Sequence, residues 1–70
     1  MIPLMLSEIG IKHSIKKFIG KDDTKKFLKN LGVIEGSEIT IISHIHGNVI
    51  IKVKDTSIAI SQSVANRIMV

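Results

Sequence analysis

Three runs of alternating apolar and polar residues crowd the second half of the chain: EITIISHI (38–45), NVIIKVK (48–54) and KDTSIAI (54–60). A period of two sends successive side chains to opposite faces of an extended strand, so each run has one face to bury. In the first, Ile39, Ile41, Ser43 and Ile45 point one way, and Glu38, Thr40, Ile42 and His44 the other. In the second, Val49, Ile51 and Val53 form the apolar face, with Ile50, Lys52 and Lys54 opposite. Directly paired residues lie on the same face of a sheet, so a slip of one residue would bury lysines. A two-residue loop at Gly47-Asn48 mixes the faces. A three-residue loop, His46-Gly47-Asn48, pairs Ile45 with Val49, Ser43 with Ile51 and Ile41 with Val53, and is the expected connection. For the next hairpin, a two-residue turn at Asp55-Thr56 matches Val53 with Ile58 and Ile51 with Ile60.

The residues before and after this meander supply the rest of one small domain, 1–70. SIKKFI (14–19) is expected as a first strand ending at Gly20. DDTKKFLKNLG (22–32) has the punctuation of a short helix: Asp22 and Asp23 suit the positive end of the dipole, and Gly32 suits a left-handed residue past the other end. Its period predicts Thr24, Phe27, Leu28 and Leu31 on one face and Lys25, Lys26 and Lys29 on the other. VIEGS turns at Gly36. SQSVANR (61–67) predicts one helical turn opened by Ser61, with Val64 and Ala65 inward, and IMV (68–70) a last strand. Strands this few and short favour a partly open barrel over a sandwich.

Seventy residues allow one core, and with two Phe and no Trp or Tyr that core is aliphatic. The chain has no Cys, which excludes disulfides, thiolate zinc sites and Fe–S clusters. Charged residues interrupt every apolar run well before the ~18 residues of a membrane span. The opening MIPLMLSEIG lacks the basic start of a signal peptide, so the expected location is cytoplasmic. The net charge of +4 sits in residues 1–30, where seven Lys face Glu8, Asp22 and Asp23; residues 31–70 are balanced. One segment is basic, and it has no interleaved Tyr or Trp on which bases could stack. This argues for a solvated or protein-facing lysine surface over a nucleic-acid face.

No nucleophile, base and orienting group fall into a catalytic motif, and no glycine-rich loop precedes Lys-Ser/Thr. An enzyme is not expected. SHIHGNV (43–49) places His44 and His46 two apart, a spacing that could chelate from a regular strand. The hairpin assigns His44 to the outward face and His46 to the loop, and a third ligand such as His13 would have to come from before the first strand. No metal or cofactor site is expected. The candidate docking residues are Lys21, Lys25, Lys26 and Lys29 on the helix side, and the outward Ile42 and Ile50 on the hairpin. The unplaced segment Met1–Ile9 is an alternative cover for the two isoleucines.

KKFLKNLGVIEGSEITII followed by VIIKVKDTSIAISQSVANRIMV resembles the ferrous iron transport protein A family, FeoA. The resemblance rests on Leu28, Leu31, Gly32, Val33, Gly36, Ile39, Ile58, Ala59, Ile60, Ala65, Ile68 and Val70, and covers about residues 14–70. Leu28, Leu31, Gly32, Gly36 and Ala65 are its structural signature. Glu35 stands where the family often has Pro, and Asp55 where it often has Gly. The resemblance implies a mainly β, SH3-like, partly open barrel with one short helix after the first strand and a helical turn before the last. It also implies an accessory role beside FeoB, the membrane ferrous iron transporter, at the inner face of the membrane; no catalytic, cofactor or metal residues come with it. Two other likenesses differ in class. LGVIEGSEITIISHIHGNVIIKV also resembles half of an AbrB/MazE-type DNA-binding domain, without its Pro-initiated Arg helix. The SH3-like C-terminal domain of iron-dependent repressors implies a metal-sensing module instead.

Overall fold

The computed structural model describes residues 1–20 and 22–70; Lys21 lies outside the described residues. In chain order the elements are a 3-10 turn (Leu4–Leu6), β1 (Lys12–Ser14), β2 (Lys17–Phe18), α1 (Asp22–Asn30), β3 (Glu38–Ile45), β4 (Asn48–Val53), β5 (Thr56–Ser61), α2 (Gln62–Ala65) and β6 (Ile68–Met69). β1, β3, β4 and β5 form one antiparallel sheet in that order, and β2 pairs with β6 in a second. The result is mainly β, two open sheets around an aliphatic core with two short helices.

In place of the expected strand 14–19 there are two short ones, because this segment serves both sheets. β1 reaches back to Lys12, so His13 lies in a strand and not before it. β1 pairs with β3, and β2 pairs with β6. Between them the buried Ile15 bonds through its N–H to Ser37 and through its C=O to Gly36, and the Lys16 N–H turns to Met69. Backbone donors are thereby satisfied through the corner.

Cross-strand pairs set Ile39 against Val53 and Ile41 against Ile51, and continue from Ile51 to Ile58 and from Val49 to Ile60. Apolar faces agree in these pairs, yet both loops differ from expectation. The β3–β4 connection is the two-residue turn His46-Gly47, with Ile45 opposite Asn48, and both turn residues take positive φ (44° and 78°). That is the type I′ combination, whose twist matches the strands it joins. The parity it would upset is restored by a bulge at Ile42: Ile41 faces Ile51 while Ser43 faces Ile50. Likewise β4–β5 turns at Lys54-Asp55, one residue earlier than predicted, with Val53 opposite Thr56.

The bulge exchanges the side chains beyond it. His44, expected outward, faces the buried Val49 on the core side, yet stays exposed. Ile45, expected inward, is turned out and exposed.

His46 holds a left-handed conformation that side chains bearing a Cβ resist at ~1–2 kcal/mol, and that Asn adopts more readily. We expect His46→Asn to stabilise the domain by about 0.5–1 kcal/mol, read as a higher urea midpoint at constant m value. An unchanged or lower midpoint would contradict the assigned turn.

α1 stops as its sequence predicts. Gly32, at φ 85°, donates its N–H to Lys29, and Val33 donates to Leu28, the paired bonds of a Schellman ending. The accompanying apolar contact joins Leu28 and Val33, both fully buried. At the other end Arg67 donates from Nη1 to Thr24 Oγ1 at 3.3 Å, tying α1 to the turn before β6. Ser61 caps α2, its Oγ accepting from the Val64 N–H, and Ala65 is buried as expected.

The N-terminal segment, unplaced by pattern, closes one end of the core. Ile2 and Val70 exchange backbone hydrogen bonds of 2.9 and 2.8 Å, and Leu4 is fully buried. Further along, the Gly10 N–H bonds to the Ile41 carbonyl, yet Ile42 stays 42% exposed, so the segment does not cover that isoleucine.

Candidate docking surfaces

Among the described residues every buried core residue is apolar, and no cluster of three His, Asp or Glu side chains has the geometry to hold a metal. His13 is half-buried on β1 opposite Ile39, whereas His44 and His46 are exposed at the far hairpin. What the structure offers is surface.

One surface lies on α1. The helix predicted to bury Thr24, Phe27, Leu28 and Leu31 buries only Leu28 completely. Thr24 is half-buried, while Phe27 is 51% and Leu31 38% exposed. The neighbouring Ile34 is exposed as well. Beside the helix runs a shallow groove of about 250 Å³ floored by Phe18, Val33 and Ile34 and edged by Lys25, Lys29 and Glu35. Lys25 reaches Glu35 at 3.9 Å, both side chains more than half exposed, so the pair is screened and constrains the rim little. Lys26 is exposed on α1 outside the groove lining, and Lys21 lies outside the described residues.

The second surface is the far end of the β3–β4 hairpin. Ile50 is half-buried opposite Ser43, and Ile42 stands in the bulge. Pattern reading missed Ile45, which shares the outward face with Ile50. It also missed the exposure of Phe27 and Leu31. A nine-residue helix lying over the edge of a small barrel has room to bury one row of its apolar stripe.

A third depression, about 580 Å³ and open, crosses the outward face of β1, β3 and β4. Thr40 sits at its centre between Lys12 and Lys52, with Lys54, Glu38 and Asp55 around it. Lys12 pairs with Glu38 at 3.4 Å at the surface. Its charges are mixed in sign, three lysines against two carboxylates, which suits solvation.

Two small open sheets around an aliphatic core, with no polar side chain buried among the described residues, define a small SH3-like domain. The chain belongs to the FeoA family: the FeoA domain matches residues 2–70. Solved structures agree. A crystal structure of an iron uptake regulatory protein, FeoA, superposes with a TM-score of 0.85 at 25% identity, covering 96% of this chain and 89% of that one. FeoA of Stenotrophomonas maltophilia complexed with zinc, described as a prokaryotic SH3 domain protein and suggested ferrous iron transport activating factor, gives 0.83 at 17% identity over 99% and 88%. A manganese-dependent transcriptional repressor shares the fold, with a TM-score of 0.86 at 10% identity, over 94% of this chain and 38% of that protein. No curated protein matches the chain in sequence. No helix among the described residues is long and apolar enough to cross a membrane.

Proposed function

We propose that this protein is a cytosolic accessory factor of ferrous iron uptake that binds the cytosolic part of the transporter FeoB through the α1 surface. The observation that carries this reading is that one short helix exposes Phe27 and Leu31 on its apolar side and Lys25, Lys26 and Lys29 on its other side. Exposed apolar side chains supply contact area, and the lysines steer an acidic partner toward them. Bound this way, the domain works at the inner face of the membrane through its partner.

An NMR shift titration with the FeoB cytosolic domain tests the reading. Shifts are expected to centre on residues 22–34. Neutralising Lys25, Lys26 and Lys29 to Gln together should weaken binding by about tenfold or more and flatten its salt dependence, since rim charges act through screened attraction. Binding and salt dependence left unchanged by the triple substitution would refute the lysine role, and shifts confined to the β3–β4 hairpin would move the interface there.

The fold shared with the manganese-dependent repressor supports a second reading, a regulatory metal-sensing module. It predicts tight Mn²⁺ or Fe²⁺ binding by the isolated domain under anaerobic conditions. Micromolar or tighter binding of that kind would favour it over the transporter reading.

A further inference from the structure

β5 is an edge strand without the usual protection. It ends the four-stranded sheet, pairing with β4 on one side only. Natural edge strands are blunted by charge, proline, bulges or brevity. β5 has six residues, its register with β4 is unbroken, and the chain carries no charge and no proline from Thr56 to Asn66. Such a stretch in a protein of net charge +4 leaves the edge with nothing to repel a second strand.

The hydrogen-bond alternation shows which groups are open. Gln62 donates to the Gly47 carbonyl at 3.0 Å, so Asn48 and Ser61 are a non-bonded pair and the bonds to β4 fall on Ile60, Ile58 and Thr56. The N–H and C=O of Ser57 and Ala59, and the N–H of Ser61, therefore point away from β4. Among the described residues no backbone group bonds to them there.

The sequence along this edge is its own mirror: Ser57-Ile58-Ala59-Ile60-Ser61. We infer that β5 pairs with β5 of a second copy, antiparallel, about a two-fold axis at Ala59. A two-fold contact requires a self-complementary patch, and a palindromic strand supplies it at every position. Ala59 meets Ala59 of the second copy as a hydrogen-bonded pair, with both N–H groups and both C=O groups engaged. Each Ser61 N–H reaches the Ser57 carbonyl of the other copy. The half-buried Ile58 lies against Ile60 of the second copy, extending the core face across the junction. Two four-stranded sheets become one. The contact is small beside the ~800 Å² per partner of a standard interface, so the dimer is weak, with a dissociation constant of about 0.1–1 mM.

The test uses the chain alone. Amide shifts of the wild type are followed from about 0.05 to 2 mM, a range that brackets this constant. Concentration-dependent shifts should be largest at Ser57, Ala59 and Ser61. Ala59 is exposed, so Ala59→Lys and Ala59→Glu are expected to fold, which their melting temperatures check. Each alone places like charges face to face at the axis and should weaken self-association by at least about tenfold. An equimolar mixture of the two should restore it, because Lys then faces Glu. A wild type that stays monomeric across the range, shifts centred elsewhere, or a mixture no better than its components would each overturn the inference. Were both variants to unfold, the wild-type shifts alone would decide.

Discussion

Leu4→Ala is expected to lower the unfolding free energy by about 3 kcal/mol, the usual cost of emptying a fully buried leucine site. Leu4 stands in a 3-10 turn that pattern reading does not mark, yet none of its surface is exposed. A domain of this size has on the order of 4–10 kcal/mol in hand, so the substitution removes a large fraction of it. The melting temperature should fall by roughly 12–24 °C, at ~4–8 °C per kcal/mol. Leu6, two residues on and 72% exposed, is the control. Leu6→Ala should shift stability by less than about 0.5 kcal/mol, as surface changes do. Equal effects of the two would mean that the N-terminal segment is not part of the core.

Much of this architecture was legible, and the residues show where legibility stopped. Alternation identified β3, β4, β5 and their buried faces, because an aliphatic residue every second position has one place to go. Glycine and capping residues identified the ends of α1 and the start of α2. Face matching, however, restricts a hairpin only to registers of one parity. The β4–β5 hairpin and the part of β3–β4 before the bulge settled two residues from the expected pairing sum, with faces in agreement; beyond the bulge the shift is one. Between His46-Gly47 and a three-residue loop, the type I′ turn prevailed, and the bulge at Ile42 absorbed the odd residue. Bulges depend on cross-strand fit rather than local composition, so the exchange of His44 and Ile45 had no local signal. Leu4 was missed for a related reason: an isolated apolar residue in MIPLMLSEIG has no period to betray it. The candidate docking residues could be chosen by type, but their exposure could not be read. A helical stripe shows which side chains share a face, and says nothing of how much of that face the barrel can cover.

Neighbouring helix positions turn that last distinction into a measurement. Leu28 and Phe27 are adjacent in sequence and both sit on the apolar side of α1, but the core takes one and leaves the other half in water. Leu28→Ala empties a site closed by Val33 and opens the contact that completes the Schellman ending, so a loss of about 3 kcal/mol is expected in a urea titration. Phe27→Ala removes a ring that is already 51% exposed, and alanine has the better helix propensity. Its stability cost should stay below about 1 kcal/mol, within the range of changes that neither open a cavity nor strand a polar group. The order should reverse for partner binding. If α1 docks on FeoB, Phe27→Ala should weaken that complex by about tenfold or more, as truncating an aromatic anchor does. It would do so in a protein that remains folded at the temperature of the assay. Leu28→Ala, measured where it is still native, should bind nearly as well as the wild type. A Phe27→Ala variant that unfolds as readily as Leu28→Ala would mean the ring belongs to the core. One that is stable and binds FeoB without loss would remove the helix from the interface and leave the outward face of Ile45 and Ile50 as the surface to test.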